Sequence, residues 1–246
     1  MWLASGEEVR MALTFRISPG QASVFVVLLL VGINVLDIKV EHASLVVAPV
    51  GAVVLVLTAR LAGLSWEELG FRNVRRGLTW SAVIIGAAAV VLAAGAALPL
   101  TRDAFRDDRY RLGLGSALLT TFVLIPIGTV LLEEVAFRGV LWGLLRRVRG
   151  TVFATTVSSL LFGLWHVLPS LGLASSNQAI GGAVGRGRTG QVLAIAATVL
   201  FTAGSGVVFC ELRRRSGSLL PAAALHWAVN GLSVLASAAV WAWATR

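Results

Sequence analysis

The stretch LLEEVAFRG, residues 131–139, puts two glutamates and an arginine inside a run that is otherwise uncharged from Ser116 to Leu145. An ionisable side chain at the centre of a spanning helix costs about 2.5–3.5 kcal/mol on insertion scales, so a chain that keeps three of them there uses them. Two further polar sets repeat the pattern: His166 in LFGLWHV, and His226 with Asn230 in LHWAVN. Around them the chain is 57% hydrophobic and 13% charged over 246 residues, with a mean hydropathy of +0.85. That leaves too little polar surface for a soluble globule. The expectation is a polytopic membrane protein.

Seven apolar segments approach the roughly 20 residues that a spanning helix requires. They lie at about 21–36, 43–64, 78–100, 115–137, 151–169, 190–210 and 218–243. The fold class expected is all-α, a bundle of about seven transmembrane helices forming a single transmembrane domain over 1–246. The first segment is short and carries Asn34, which suits a tilted or partly interfacial helix. Before it, Met1 to Gly20 mixes Glu7 and Glu8 with Arg10 and Arg16 and lacks the features of a cleaved secretory signal. No linker divides the chain, no internal repeat appears, and nothing in it sets an oligomeric state.

The net charge of +9 and pI near 11.5 do not point to nucleic acid, because the basic residues form short clusters between apolar runs. Lipid head groups are the partners these clusters suit. Alternate connections hold thirteen and eight of the 21 Lys and Arg. The larger set includes Arg60, Arg72, Arg75, Arg76, Arg138, Arg146, Arg147, Arg149 and Arg213 to Arg215, and the excess belongs in the cytoplasm. This orients the chain in a cell membrane with its N-terminus inside. A single cysteine, Cys210, excludes an intramolecular disulfide framework and reads as a small apolar filler.

Other features have plainer readings. Leu64 to Gly77, LSWEELGFRNVRRG, suits either an interfacial helix that dips Trp66 and Phe71 into lipid or a solvated loop. The glycine-rich loop from Ser170 to Gly190 is expected to be mobile, and GAAAVVLAAGAA, residues 86–97, is packing surface. His42 reads as solvated. Trp142, Trp227, Trp241 and Trp243 read as interface or packing residues.

The fourth and fifth segments form a hairpin turning near Gly150, and Glu133 and His166 lie about equally far from that turn. At about 1.5 Å per residue, both sit roughly 20–25 Å from it at one depth. Glu134 and Arg138 are four apart and can pair along the helix, whereas Glu133 points about 100° away and is free for chemistry. Phe162 lies four before His166, and His226 lies four before Asn230. A carboxylate and an imidazole, Glu133 and His166, can hold and deprotonate water, while His226 and Asn230 can donate hydrogen bonds to an oxygen that becomes negative. That combination suits amide hydrolysis. Ser158 and Ser159 have no nucleophile setting. Glu133, His166 and His226 also make a catalytic zinc set. No HExxH supports it, and water activation without a required metal is the favoured alternative.

The order EExxxR, FxxxH, HxxxN, carried by Glu133, Glu134 and Arg138, by Phe162 and His166, and by His226 and Asn230, resembles the CAAX-protease and bacteriocin-processing (CPBP, Abi) family of intramembrane proteases. The lead-in LSWEELGFR is similar too, and the motif region covers about 115–235. The resemblance implies an all-helical fold around an intramembrane catalytic chamber that opens to the cytoplasm. It implies an endopeptidase acting on membrane-anchored peptides or proteins, with Glu133 and His166 activating water and His226 and Asn230 forming the oxyanion site. The family is often labelled metalloprotease, which leaves zinc open. Two rival readings are a noncatalytic immunity or scaffold protein and a small proton-coupled transporter, although no matched halves support the latter. A single lysine, Lys39, among the 21 basic residues suits a GC-rich bacterium, where prenylated substrates are less expected.

Overall fold

A computed structural model describes residues 17–39 and 44–244. His42 and residues 1–16 lie outside the described residues. The first helix, α1 (Pro19–Lys39), is 21 residues long. It begins with a reciprocal cap, the Ser18 N–H donating to Gln21 Oε1 at 3.2 Å and the Gln21 N–H to Ser18 Oγ at 3.2 Å. Proline at the first helical position costs no hydrogen bond. At about 1.5 Å per residue, α1 reaches roughly 31 Å, so it is a full-length span and not the short segment expected.

Helices α2 (Ser44–Leu61) and α3 (Val74–Ala97) follow. Next comes one stretch of 52 residues, Leu114–Trp165, then α6 (Arg188–Ser216) and α7 (Leu220–Ala244). Six stretches are thus long and apolar enough to cross a membrane. The fourth is doubled, because Arg149 leaves helical geometry and Gly150 takes φ 79°. A left-handed turn of this kind is open to glycine at little cost. Split there into α4 (114–148) and α5 (151–165), it raises the count to the expected seven. No strand pairs occur among the described residues beyond two isolated bridges, Phe71 with Ser218 and Asp107 with Asn177.

The hairpin is antiparallel along its length. Trp142 Nε1 donates to Thr155 Oγ1 at 3.1 Å, Ser158 Oγ donates to the Phe137 carbonyl at 2.7 Å, and Phe137 meets Phe162 edge-on at 5.2 Å. Trp142 is 1% exposed, so it is a core residue and not an interface anchor. Large side chains such as Val83, Val90 and Leu200 face outward instead, as lipid permits.

Close backbone contact joins α5 to α6. A Cβ added at Gly163 would lie 2.7 Å from the Val199 carbonyl oxygen and 2.9 Å from Ala203 Cβ. Gly163→Leu is therefore expected to push the helices apart and destabilise the protein by about 1–3 kcal/mol. A lowered unfolding midpoint in detergent would show it, and an unchanged midpoint would refute the contact.

On the Gly150 face, residues 64–73 are turns and not a helix. Ser65 and Glu68 cap one another, Leu64 and Leu69 are buried, and Trp66 and Phe71 stay exposed. Glu68 Oε1 accepts from Arg147 Nε at 2.8 Å, and this bond holds its carboxyl down at about 2. The Glu68 carbonyl also accepts from Arg213, which is buried against Trp142. Two arginines of the larger basic set, Arg138 and Arg213, thus turn inward.

On the opposite face, the glycine-rich loop is folded and not open. It forms helices Leu173–Ser176 and Gln178–Val184, with the Asn177 side chain capping the second. Asn177 Nδ2 donates to the Ala104 carbonyl at 3.1 Å and the Gln178 N–H to the Arg106 carbonyl at 3.0 Å, clasping the connection between α3 and α4. Asp107 accepts from Arg109 through both carboxylate oxygens, at 2.9 and 2.7 Å.

Candidate active site

The motif on α4 sits on wound-out turns. Residues Thr120–Leu124, Pro126–Val130 and Glu134–Leu141 are π-helical, as is Ala228–Leu232 on α7. Such turns re-aim side chains and leave carbonyls to be satisfied elsewhere. Ser158 meets that need at Phe137, which gives it a structural part and no nucleophilic one.

Glu134 and Arg138 pair as expected, Nη1 to Oε1 at 3.1 Å, and both are buried. The guanidinium lies 3.7 Å from the Phe162 ring centre and 4.7 Å from that of Phe209. These aromatic faces stand in for solvent around the cation. The same Glu134 oxygen lies 2.8 Å from His226 Nδ1. His226 is 3% exposed, stacked on Phe209 and edge-on to Phe162.

Both imidazoles are fixed through Nδ1. His226 Nδ1 faces a carboxylate, and His166 Nδ1 lies 2.8 Å from the Phe162 carbonyl oxygen. Since each partner only accepts, each Nδ1 carries the proton, and Nε2 is left to face inward. The Nε2 atoms lie 3.7 Å (His226) and 4.0 Å (His166) from Glu133 Oε2. That oxygen is buried with no hydrogen-bond partner, while Oε1 accepts from Trp165 Nε1 at 2.9 Å. Gaps of this size exceed a direct hydrogen bond and suit one bridging water.

Glu133, His166 and Asn230 line a cavity of about 620 Å³. His226 is buried, with its Nε2 3.7 Å from the Glu133 carboxylate that lines the cavity. Asn230 makes no side-chain hydrogen bond among the described residues and is free for a ligand. Helix α5 ends at Trp165, and His166 has already left helical geometry at ψ 0°. The space above that early end is the chamber.

The two His and one Glu match the donor types of a catalytic zinc, and their Nδ1 partners are those that orient zinc ligands. Their spacing is looser. Neighbouring ligands of a tetrahedral zinc lie about 3.3 Å apart with bonds of about 2.05 Å, and no metal-binding group of three or more His, Cys, Asp or Glu is present among the described residues.

Residues 115–232 match the family model described as type II CAAX prenyl endopeptidase Rce1-like. The match spans 118 residues, just under half of the chain, and makes this part of it similar to that family. It contains every site residue from Glu133 to Asn230 and agrees with the CAAX-protease resemblance. With six stretches long and apolar enough to cross a membrane, the chain is a multi-pass membrane protein whose matched region is similar to a peptidase family. No curated protein and no solved structure gives a significant match to the chain. Helices α1 to α3 lie outside the matched region, yet Asn34, Asp37, Ser44 and Val47 help to wall the chamber. Sequence reasoning missed Trp165 and Phe209 as site residues. Trp165 carried one signal, an indole N–H next to His166 in an apolar helix.

Proposed function

We propose that the protein is an intramembrane endopeptidase that cleaves membrane-anchored peptides or proteins with a water activated by Glu133 and His166. The observation that carries this reading is the convergence of two imidazole Nε2 atoms on the unpartnered, buried Glu133 Oε2. Glu133 takes a proton from the water as its oxygen adds to the scissile carbonyl carbon. The new oxyanion lies within reach of the Asn230 amide and of His226 Nε2, which donates when the ring is doubly protonated across from the Glu134 carboxylate. The Glu133 proton then passes to the amide nitrogen, the C–N bond breaks, and a carboxylate and an amine leave.

No metal is required in this scheme. Were zinc bound, Glu133, His166 and His226 would hold it, and it would supply Lewis-acid polarisation of water and carbonyl. Incubation of the purified protein with a quenched library of membrane-anchored peptides, with and without chelator, tests the proposal. Cleavage that survives chelator supports carboxylate chemistry, and loss of cleavage on chelation moves the reading to zinc. A scaffold or immunity protein would cleave nothing. A proton-coupled transporter would move protons in vesicles without cleavage.

Asn230→Ala is expected to lower kcat by about 10²- to 10³-fold with little change in KM, as removal of an oxyanion donor does. A loss confined to KM would make Asn230 a substrate-binding residue instead. The arginine-rich composition favours a bacterial cell membrane as the setting.

A further inference from the structure

We propose that Asn34 of α1 is a positioning residue for the hydrolytic site, acting through Trp165 on the Glu133 carboxylate. Asn34 is the one polar side chain between Ser23 and Asp37. In a spanning helix such an amide needs a partner within the protein, because lipid supplies none. Its Nδ2 donates to the Trp165 carbonyl at 2.9 Å, across 131 positions of the chain.

The end of α5 explains why that carbonyl takes a donor from another helix. In a continuing α-helix it would accept from the N–H of residue 169. Residue 169 is proline, which has no N–H. The Asn34 amide supplies the missing donor and fixes α5 at its last helical residue, Trp165.

From the same residue the indole Nε1 donates to Glu133 Oε1 at 2.9 Å, and the ring packs edge-on to Phe137 with 5.9 Å between centres. A carboxylate is rigid, so holding Oε1 sets the direction of Oε2. Oε2 is the atom that lies 3.7 Å from His226 Nε2 and 4.0 Å from His166 Nε2. A line of two hydrogen bonds thus runs from α1, through the end of α5, to the acid on α4. Asn34 lies outside the matched region 115–232, yet it stands with Trp165 on the chamber wall. Helix α1 therefore sets the aim of the acid as well as anchoring the chain.

The effect on rate rests on the peptidase reading. Asn34→Leu keeps the side-chain volume, suits the span and removes the amide. Its kcat is expected to fall by about 10- to 10²-fold, the scale of a misplacement of about 1 Å, with KM little changed. The double variant Asn34→Leu with Trp165→Phe is expected to be no slower than Trp165→Phe alone, because two changes on one path do not add. A readout free of catalysis is the indole N–H signal of Trp165 in ¹⁵N-labelled protein, identified by its loss in Trp165→Phe. Asn34→Leu is expected to move that signal and to leave the signal of Trp142 in place. An unmoved Trp165 signal, an unchanged kcat, or losses that multiply in the double variant would each overturn the inference. Where Asn34→Leu does not fold, Asn34→Ser, whose hydroxyl bonds within its own helix, takes its place in the same measurements. A wild type that cuts no peptide would overturn the peptidase reading and the effect on rate with it, whereas the indole signal alone decides whether Asn34 holds Trp165.

Discussion

Glu133→Gln is expected to lower peptide cleavage by about 10²- to 10⁴-fold, the range that loss of a positioned general base produces. The substitution keeps shape, burial and the acceptor oxygen for the Trp165 indole, so the fold should survive. What it removes is the proton acceptor at the point where His166 and His226 aim their Nε2 atoms at 4.0 and 3.7 Å. The measurement is initial rate against the quenched library, with size-exclusion and thermal profiles run on both proteins. A monodisperse variant with full activity would sink the water-activation scheme. A variant inactive only because it unfolds would show in the profile, and Trp165→Phe then offers a milder probe. That change frees Glu133 Oε1 without touching the acid and should reduce the rate less.

The largest stability effect belongs to Arg138. It is buried to 1% exposure, pairs with Glu134 at 3.1 Å, and sits between Phe162 and Phe209. Arg138→Met should destabilise the protein by about 3–5 kcal/mol, because it leaves the Glu134 carboxylate buried without its cation. The double variant Arg138→Met with Glu134→Gln removes both charges and should recover much of that loss, since replacing a buried pair by neutral groups is often close to neutral. Unfolding in mixed micelles at graded denaturing detergent gives the two values. A double variant no more stable than the single one would show that the guanidinium acts through ring packing and not by neutralising Glu134. Arg138→Lys separates these causes further, because an ammonium keeps the charge but loses the planar stack.

Span existence was legible because membrane helices declare themselves by length and apolarity. Their ends were less so. Helix α4 runs on past residue 137 to 148, because Arg138 finds its partner inside the bundle instead of leaving for a head group. A charge that marks a helix end by composition marks the core by structure. The 64–73 segment carries a helix-like alternation, yet the Ser65–Glu68 cap closes a turn, and burial of Leu64 and Leu69 fixes it there.

Within the site, the hairpin symmetry about Gly150 correctly set Glu133 and His166 at one depth, since only local geometry was needed. The bond from His226 to Glu134 spans 92 positions and depends on how α7 packs, which no spacing reveals. The π turns escaped notice for a related reason. A 3.6-residue period was assumed, and the unwinding arises from tertiary contacts such as Ser158 on the Phe137 carbonyl. Asn34 and Asp37 lacked any motif and enter the chamber wall only because α1 runs beside α5.

The Glu134–Arg138 pair is internal to α4, four residues apart on one helix, and this bears on how the chain is made. When α4 leaves the ribosome, His226 has not yet been synthesised, so the helix must enter the bilayer without its eventual neighbours. The self-contained pair lets it do so with Glu133 as the one charge outside the pair in the apolar run 116–145. The pair is thus a passenger's permit for biogenesis before it is a part of the finished site. Nascent chains stopped before α7 that lack Arg138 should therefore fail at insertion itself.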